Sequence, residues 1–216
     1  MLYFSHCIEG GAKKLRVIIT KTIFLMTELY NYLNSVSPIK DETWKKVKEM
    51  FTEKTLKKGD YFIKDGEMAK QIGFLTNGII RAFYRNNEGT EYNKYFFLAN
   101  NFVAGYSSLI TNEPNKINQQ ALTDCRLLII NYADVVSLYE SYQDFERFGR
   151  KLAELFFVHK EEREVDLVML DADKRYLIFQ QNFPCLEQMI PQYHIASYLG
   201  ITPTQLSRIR RNLVKK

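Results

Sequence analysis

Threonine, serine and arginine set at helical spacing beside a run of bases suit one kind of chemistry above others: hydrogen bonding to base edges and to phosphates. Near its end the 216-residue chain reads Q-Y-H-I-A-S-Y-L-G-I-T-P-T-Q-L-S-R-I-R-R, from Gln192 to Arg211. Thr204, Ser207 and Arg208 are the candidate base readers, because short hydroxyls and a two-donor arginine fork fit base edges in a major groove. Thr202, Arg210, Arg211 and Lys215 are the candidate phosphate contacts. Leu206, Ile209 and Leu213 fall on the opposite side of the same helical wheel and form a stripe to be buried. From Pro191 to Lys216 there are five basic residues and no acidic one, so the rest of the chain holds 25 of each sign and the net charge of +5 lies in this tail. A neutral body with a basic terminal helix is a localised footprint for a polyanion. Ser207, Asn212 and the short, capped form weigh against a membrane-surface helix.

Two helices and a tight turn must hold those side chains. Ile195, Ala196 and Leu199 share one face of a first helix. Gly200 ends it, since glycine enters the left-handed conformation of a tight C-terminal turn without steric cost. Thr202 as N-cap, Pro203 at the first helical position and Gln205 completing a Thr-x-x-Gln capping box open the second helix. Ile201 and Leu206 make a hydrophobic staple across that start. This is the pattern of a helix-turn-helix. The plain alternative, a two-helix hairpin with a solvated basic face, leaves this coincidence of caps, turn and charge unexplained.

Other chemistries find little support. Cys7, Cys125 and Cys185 are scattered without C-x-x-C spacing, and His6, His159 and His194 show no metal-ligand spacing, so neither a metal site nor a cofactor is expected. The thiols fit a reducing cytoplasm. No nucleophile elbow, phosphate-cradling glycine loop or catalytic carboxylate pair stands out, and Asp171 and Asp173 suit a helix start, so an enzyme is not expected. Lys13, Lys14 and Arg16 before Val17–Leu25 superficially resemble a secretion signal. Lys21 interrupts that apolar run and no small-residue cleavage site follows. Met26 precedes a plausible helix, which makes residues 1–25 a candidate extra segment with translation beginning at Met26.

Along the chain, Glu28 to Thr52 has helical periodicity broken at Ser37-Pro38, with Trp44 as a core anchor. After Leu56, short aromatic and β-branched runs alternate with turn pairs: Gly59-Asp60, Asp65-Gly66, Asn77-Gly78 and Asn86 to Gly89. Asn77-Gly78, between Ile72–Leu75 and Ile79–Tyr84, predicts a hairpin. Further runs at Tyr92–Phe97, Phe102–Val103 and Leu127–Ile130 predict an antiparallel unit of about eight strands closed into a barrel or roll. Helical period returns from Tyr132. Phe145 to Met169 predicts one long helix whose Phe148, Leu152, Leu155 and Phe156 form a dimer seam; the alternative is that this stripe packs entirely on its own roll. Lys174–Gln181 predicts another helix, ended by Phe183-Pro184.

This order of elements, together with G-D-Y-F-I-K-D-G-E (Gly59–Glu67), Gly73-Phe74-Leu75, Gly78, Arg81 and the helix-turn-helix, resembles the Crp/Fnr family of bacterial transcription regulators over roughly Lys57–Leu213. The resemblance implies an α+β fold: an antiparallel, cyclic-nucleotide-binding-like β-roll with flanking helices, a long dimerisation helix and a C-terminal DNA-binding domain. The corresponding divisions are residues 26–142, 143–170 and 171–216. It implies double-stranded DNA with an inverted repeat as partner, a homodimer, RNA polymerase as a further candidate partner and a small-molecule effector of unknown identity. Two departures stand out. The family's cyclic-nucleotide binders carry a Gly-Glu pair and an Arg-Ser-Ala or Arg-Thr-Ala run, but this chain has F-V-A-G-Y-S-S-L (Phe102–Leu109) and I-N-Q-Q-A-L (Ile117–Leu122), with Lys116 the one base between Phe102 and Cys125. Cyclic AMP in the usual mode is therefore not expected. The family's β-hairpin wing after the recognition helix is also missing here. The expectation is a cytoplasmic, homodimeric, sequence-specific DNA-binding regulator; the alternative is a ligand- or partner-binding β-roll scaffold with a degenerate DNA-binding domain.

Overall fold

A computed structural model describes residues 24–214, with the Val214 side chain excepted. Lys215 lies outside the described residues, as does the candidate extra segment 1–25 apart from Phe24 and Leu25. Leu25 is packed in the core, 5% exposed.

Two helices, α1 (24–36) and α2 (Asp41–Met50), precede eight strands. These are β1 (Thr52–Leu56), β2 (Tyr61–Ile63), β3 (Gln71–Asn77), β4 (Ile80–Arg85), β5 (Glu91–Phe97), β6 (Asn101–Val103), β7 (Asn118–Ala121) and β8 (Cys125–Asn131), with the short helix α3 (Tyr106–Thr111) between β6 and β7. They form two antiparallel four-stranded sheets in the orders β1-β8-β3-β6 and β2-β7-β4-β5. Leu75, Ile80, Ala82, Val103, Ala121 and Leu127 fill the space between them. A second cluster, including Leu29, Leu33, Val47, Phe74 and Phe102, seats α1 and α2 on the first sheet.

The Asn77-Gly78 pair does not close a hairpin. β3 pairs with β6 and β8, whereas β4 pairs with β5 and β7, so the chain crosses from one sheet to the other at this point. Gly78 has φ +102°, and a Cβ there would lie 2.6 Å from both the Asp124 carbonyl oxygen and Cys125 Sγ. The left-handed residue favours a turn, but the close passage of β8 decides which turn it is. β1, β2 and β7 are not among the runs legible in the sequence; β7, N-Q-Q-A, has almost none of the residues that mark strands.

After β8 come α4 (Tyr132–Ser141) and the 27-residue α5 (Gln143–Met169). The expected seam of α5 divides. Phe148 is 4% exposed and joins the core beneath it, 6.0 Å from the Phe102 ring, and Leu152 is partly buried against the same cluster. Both hold α5 to its own roll, Phe148 as a buried core residue and Leu152 in part. Leu155 is 49% exposed. Phe156 is 40% exposed and lies seven residues before Arg163, whose guanidinium stacks on Tyr198. The open stripe instead runs Leu155, Val158, Glu162, Val165, Met169, in a 3-4-3-4 spacing.

The C-terminal module comprises α6 (Ala172–Asn182), α7 (Leu186–Met189), α8 (Gln192–Leu199) and α9 (Pro203–Val214). Asp171 caps α6 by accepting from the Lys174 amide at 3.1 Å. Phe179, Phe183, Ile195, Leu199, Leu206 and Ile209 share one core with Ile79 and Phe96 of the roll, so the module is seated directly on the second sheet.

Candidate nucleic-acid interface and its mounting

The turn between α8 and α9 is built as its sequence dictates. Gly200 has φ +68° and ψ +33°, and the Ile201 amide reaches back to the Ala196 carbonyl at 3.0 Å. The Gln205 amide donates to Thr202 Oγ1 at 3.2 Å while the Thr202 amide donates to Gln205 Oε1 at 3.0 Å, which closes the capping box reciprocally. Pro203 is the first helical residue. Leu206 and Ile209 are buried, and Leu213 and Ile201 pack partly against the same cluster.

Burying that stripe turns the other face outward. Thr202, Thr204, Gln205, Ser207, Arg208 and Arg211 line one shallow concavity at the surface. All six are exposed, and neither Arg208 nor Arg211 has an ion-pair partner among the described residues. Two exposed guanidiniums beside hydroxyl and amide groups can bond an incoming anion or base edge without first breaking an internal pair.

Arg210 departs from this set. It is half-buried; its Nη1 donates to Gln192 Oε1 at 2.6 Å, and its Nη2 lies 3.8 Å from Glu187 Oε2. Glu187 also accepts from the Tyr176 hydroxyl at 2.6 Å. Arg210 therefore ties α9 to α7 and α8, and the helical wheel missed this because α7 was not recognised in the sequence. Thr202 is exposed, but its hydroxyl already serves the cap.

The mounting of α8 on the roll was not legible in the sequence. The β4–β5 ladder slips a register step between Ala82 and Phe83, so that Ala82 pairs with Tyr95, Phe83 with Asn93, and Lys94 bulges. That extra residue brings Asn93 and Phe96 to the same module-facing side, although they are three residues apart. Asn93 Nδ2 donates to the His194 carbonyl at 3.1 Å and approaches His194 Nδ1 at 3.3 Å. Ser197 Oγ accepts from the Asn93 amide at 3.0 Å and donates to the Glu91 carbonyl at 2.9 Å. Arg81, 6% exposed, points Nη1 at both Glu91 Oε2 (2.6 Å) and His194 Nδ1 (3.3 Å), gives Nε and Nη2 to Gln120 Oε1, and stacks on Phe83.

The electrostatics follow from that packing. Burial, and then the Arg81 charge, push the His194 imidazole down to about 4, against the opposing pull of Glu91. Burial would raise the Glu91 carboxyl, but hydrogen bonds from Arg85 and Arg81 outweigh it and hold the group below its ordinary range. At the C-terminal end of α8, Arg163 donates to the Tyr198 carbonyl at 2.7 Å and Arg175 to the Leu199 carbonyl at 3.2 Å.

In the stretch from Phe102 to Leu122 three buried polar side chains bond to the protein's own backbone. Asn115, 4% exposed, donates to the Lys64 and Ile117 carbonyls, Gln119 donates to Ala104, and Ser108 accepts from the Ala69 amide. Lys116 is exposed. Among the described residues no group of three or more His, Cys, Asp or Glu side chains could hold a metal ion, and no helix is long and apolar enough to cross a membrane.

Comparison with known proteins agrees with this architecture. The cyclic nucleotide-binding domain family matches residues 53–142. A sequence comparison with curated proteins returns no match. Among solved structures the chain is similar to FixK2 from Bradyrhizobium japonicum, with TM-score 0.68 and 17% identity over 76% of this chain and 85% of that one. It is similar to the c-di-GMP-responsive global regulator CLP of Xanthomonas campestris, with TM-score 0.63 and 15% identity over 82% and 92%. A protein of Eubacterium rectale assigned to the crp/fnr family of transcriptional regulators gives TM-score 0.64 and 17% identity over 81% and 83%. Residues 53–142 thus form a cyclic nucleotide-binding-type domain, and the chain as a whole has the fold of the Crp/Fnr transcriptional regulators.

Proposed function

We propose that the protein is a cytoplasmic, homodimeric, sequence-specific DNA-binding regulator of transcription. The observation that carries this reading is the outward face of α9: Thr204, Ser207, Arg208 and Arg211 are exposed together, on a capped helix whose opposite stripe is buried. Arg208 lies early in the helix, where a major-groove helix meets base edges, and Arg211 lies one turn later, toward the backbone. Lys215 extends the same face in sequence. Arg210 is left out of the phosphate set, because its guanidinium is engaged with Gln192 and Glu187.

The dimer would form along Leu155, Val158, Val165 and Met169. These are 49%, 48%, 53% and 74% exposed, and a two-fold partner is the usual way to cover such a stripe. The roll would answer to an effector other than cyclic AMP in the usual mode, since Asn115 and Gln119 donate to the protein's own backbone and residues 104–120 contain no arginine to fork onto a phosphate. RNA polymerase is the partner through which a bound regulator would act.

Binding to genomic fragments and to random duplexes over a range of salt tests this reading. A regulator binds a subset of genomic fragments at least about 1000-fold more tightly than random DNA, with log affinity falling linearly in log salt. Equal, weak affinity for all duplexes would favour the scaffold alternative.

A further inference from the structure

We infer that Arg81, Glu91, Asn93, His194 and Ser197 form a positioning clamp that fixes the recognition helix relative to the β-roll and thereby sets the operator half-site spacing the protein accepts. This rests on the DNA-binding reading but concerns residues outside the recognition helix.

Two kinds of contact make up the module–roll interface. Part of it is aromatic: Phe96 of β5 lies 5.4 Å from Tyr198, 5.8 Å from Phe183 and 6.4 Å from Phe179. Such packing holds two bodies together but is non-directional and tolerates sliding. The polar part is directional. His194 and Ser197, one turn apart on α8, bond Asn93 through both its side chain and its amide, and Ser197 also bonds the Glu91 carbonyl. Arg81 is aimed at His194 by Glu91 and Gln120 and is buried there, so the contact is costly to leave half-made.

α8 is held at its C-terminal end as well. Arg163 of α5 takes the Tyr198 carbonyl and Arg175 takes that of Leu199, the last two residues of the helix. Roll, long helix and α8 are joined as one frame, and the capped turn carries that frame into α9. Since the open stripe lies on α5, the distance between two recognition helices in a two-fold dimer follows from how α8 is held. Major grooves on one side of a duplex recur about every 34 to 36 Å, and each base pair of added spacing shifts a half-site by about 3.4 Å along the axis and turns it around the duplex. A rigid frame tolerates little of that displacement; a tethered module tolerates much of it.

The test uses full-length protein with Cys7 and Cys185 replaced by serine, in three forms: parent, His194→Ala/Ser197→Ala, and Asn93→Cys/Ser197→Cys, each measured against the selected operator, against single half-sites and against operators lengthened or shortened by one and two base pairs. The parent is expected to lose about tenfold in affinity per base pair of altered spacing. The alanine variant should keep its half-site affinity and lose no more than about threefold across the series. The cysteine pair should behave like the alanine variant when reduced and like the parent when oxidised, in one and the same folded protein. An unchanged spacing profile in both variants overturns the clamp, as does a loss of half-site affinity without any change of profile. Failure of every form, the parent included, to bind any duplex overturns the DNA-binding reading instead. In that event, spin labels at Thr55→Cys and Asn212→Cys still decide the clamp: the distance distribution broadens in the alanine variant if the clamp is real and stays as narrow as the parent's if it is not.

Discussion

Acid should loosen the seat of the helix-turn-helix on the roll, by an amount that His194 sets. The residue is 4% exposed and its ring faces donors from two strands, Arg81 on β4 and Asn93 on β5, with Glu91 behind Arg81, Arg85 behind Glu91, and the Tyr193 ring tilted against it at 4.1 Å on its own helix. Nδ1 can accept from Arg81 only while it carries no proton, so the docked state requires a neutral ring. The native value of about 4 lies below the ordinary 6.5, so the unfolded chain takes up a proton at a higher pH than the folded one. Neutral His194 therefore contributes its full share above pH 6.5 and loses it as pH falls toward 4. Between pH 7.5 and 5.0 that shift amounts to about 2 kcal/mol. Urea unfolding of the parent and of His194→Gln at both pH values isolates it, because the other titrating groups are common to the two proteins. The parent should lose about 2 kcal/mol more than the variant on acidification. Equal pH dependence in the two proteins would refute the reasoning, and a steeper loss in the variant would reverse it.

Three further outcomes follow from the same geometry. Leu155→Glu/Val165→Glu should sediment as a monomer while keeping its fold, whereas Phe148→Glu should unfold the roll rather than merely split a dimer, since Phe148 is core. Arg210→Ala should lower the stability of the C-terminal module by about 1 kcal/mol and leave the salt dependence of DNA binding unchanged, because its partners are Gln192 and Glu187; Arg211→Ala should instead reduce the salt slope by about 1. Calorimetric titration with cyclic AMP should show no micromolar binding that alters DNA affinity; heat at that level coupled to tighter operator binding would contradict the account of the roll.

What could be read in advance was whatever depends on neighbours in sequence. Gly200, Thr202, Pro203 and Gln205 act within one turn of one another, and each does what its residue type dictates. The long helix was legible because its period persists for 27 residues. Distant partners were not. Asn77-Gly78 has the composition of a hairpin and is a crossover, because β8 passes against Gly78. Phe148 was read as seam because an apolar stripe on a helix does not say which of two covers it will receive; the roll, through Phe102, takes the first turns and leaves the later ones open. Arg81 looks like a solvent-facing residue in the alternating strand I-R-A-F-Y-R, and its burial comes from α8, more than a hundred residues later. His194 carried no motif, yet it is one of the residues through which the roll meets the helix-turn-helix.

The central claim, that α9 reads DNA, is tested most directly by selecting binding sites from a random duplex library with the parent and with Arg208→Ala. The account predicts that the parent enriches an inverted repeat with half-sites about one helical turn apart, and that Arg208→Ala relaxes one base pair per half-site at a cost of about 1 to 3 kcal/mol. No enriched palindrome from the parent, or the same sequence enriched by both proteins, would contradict it.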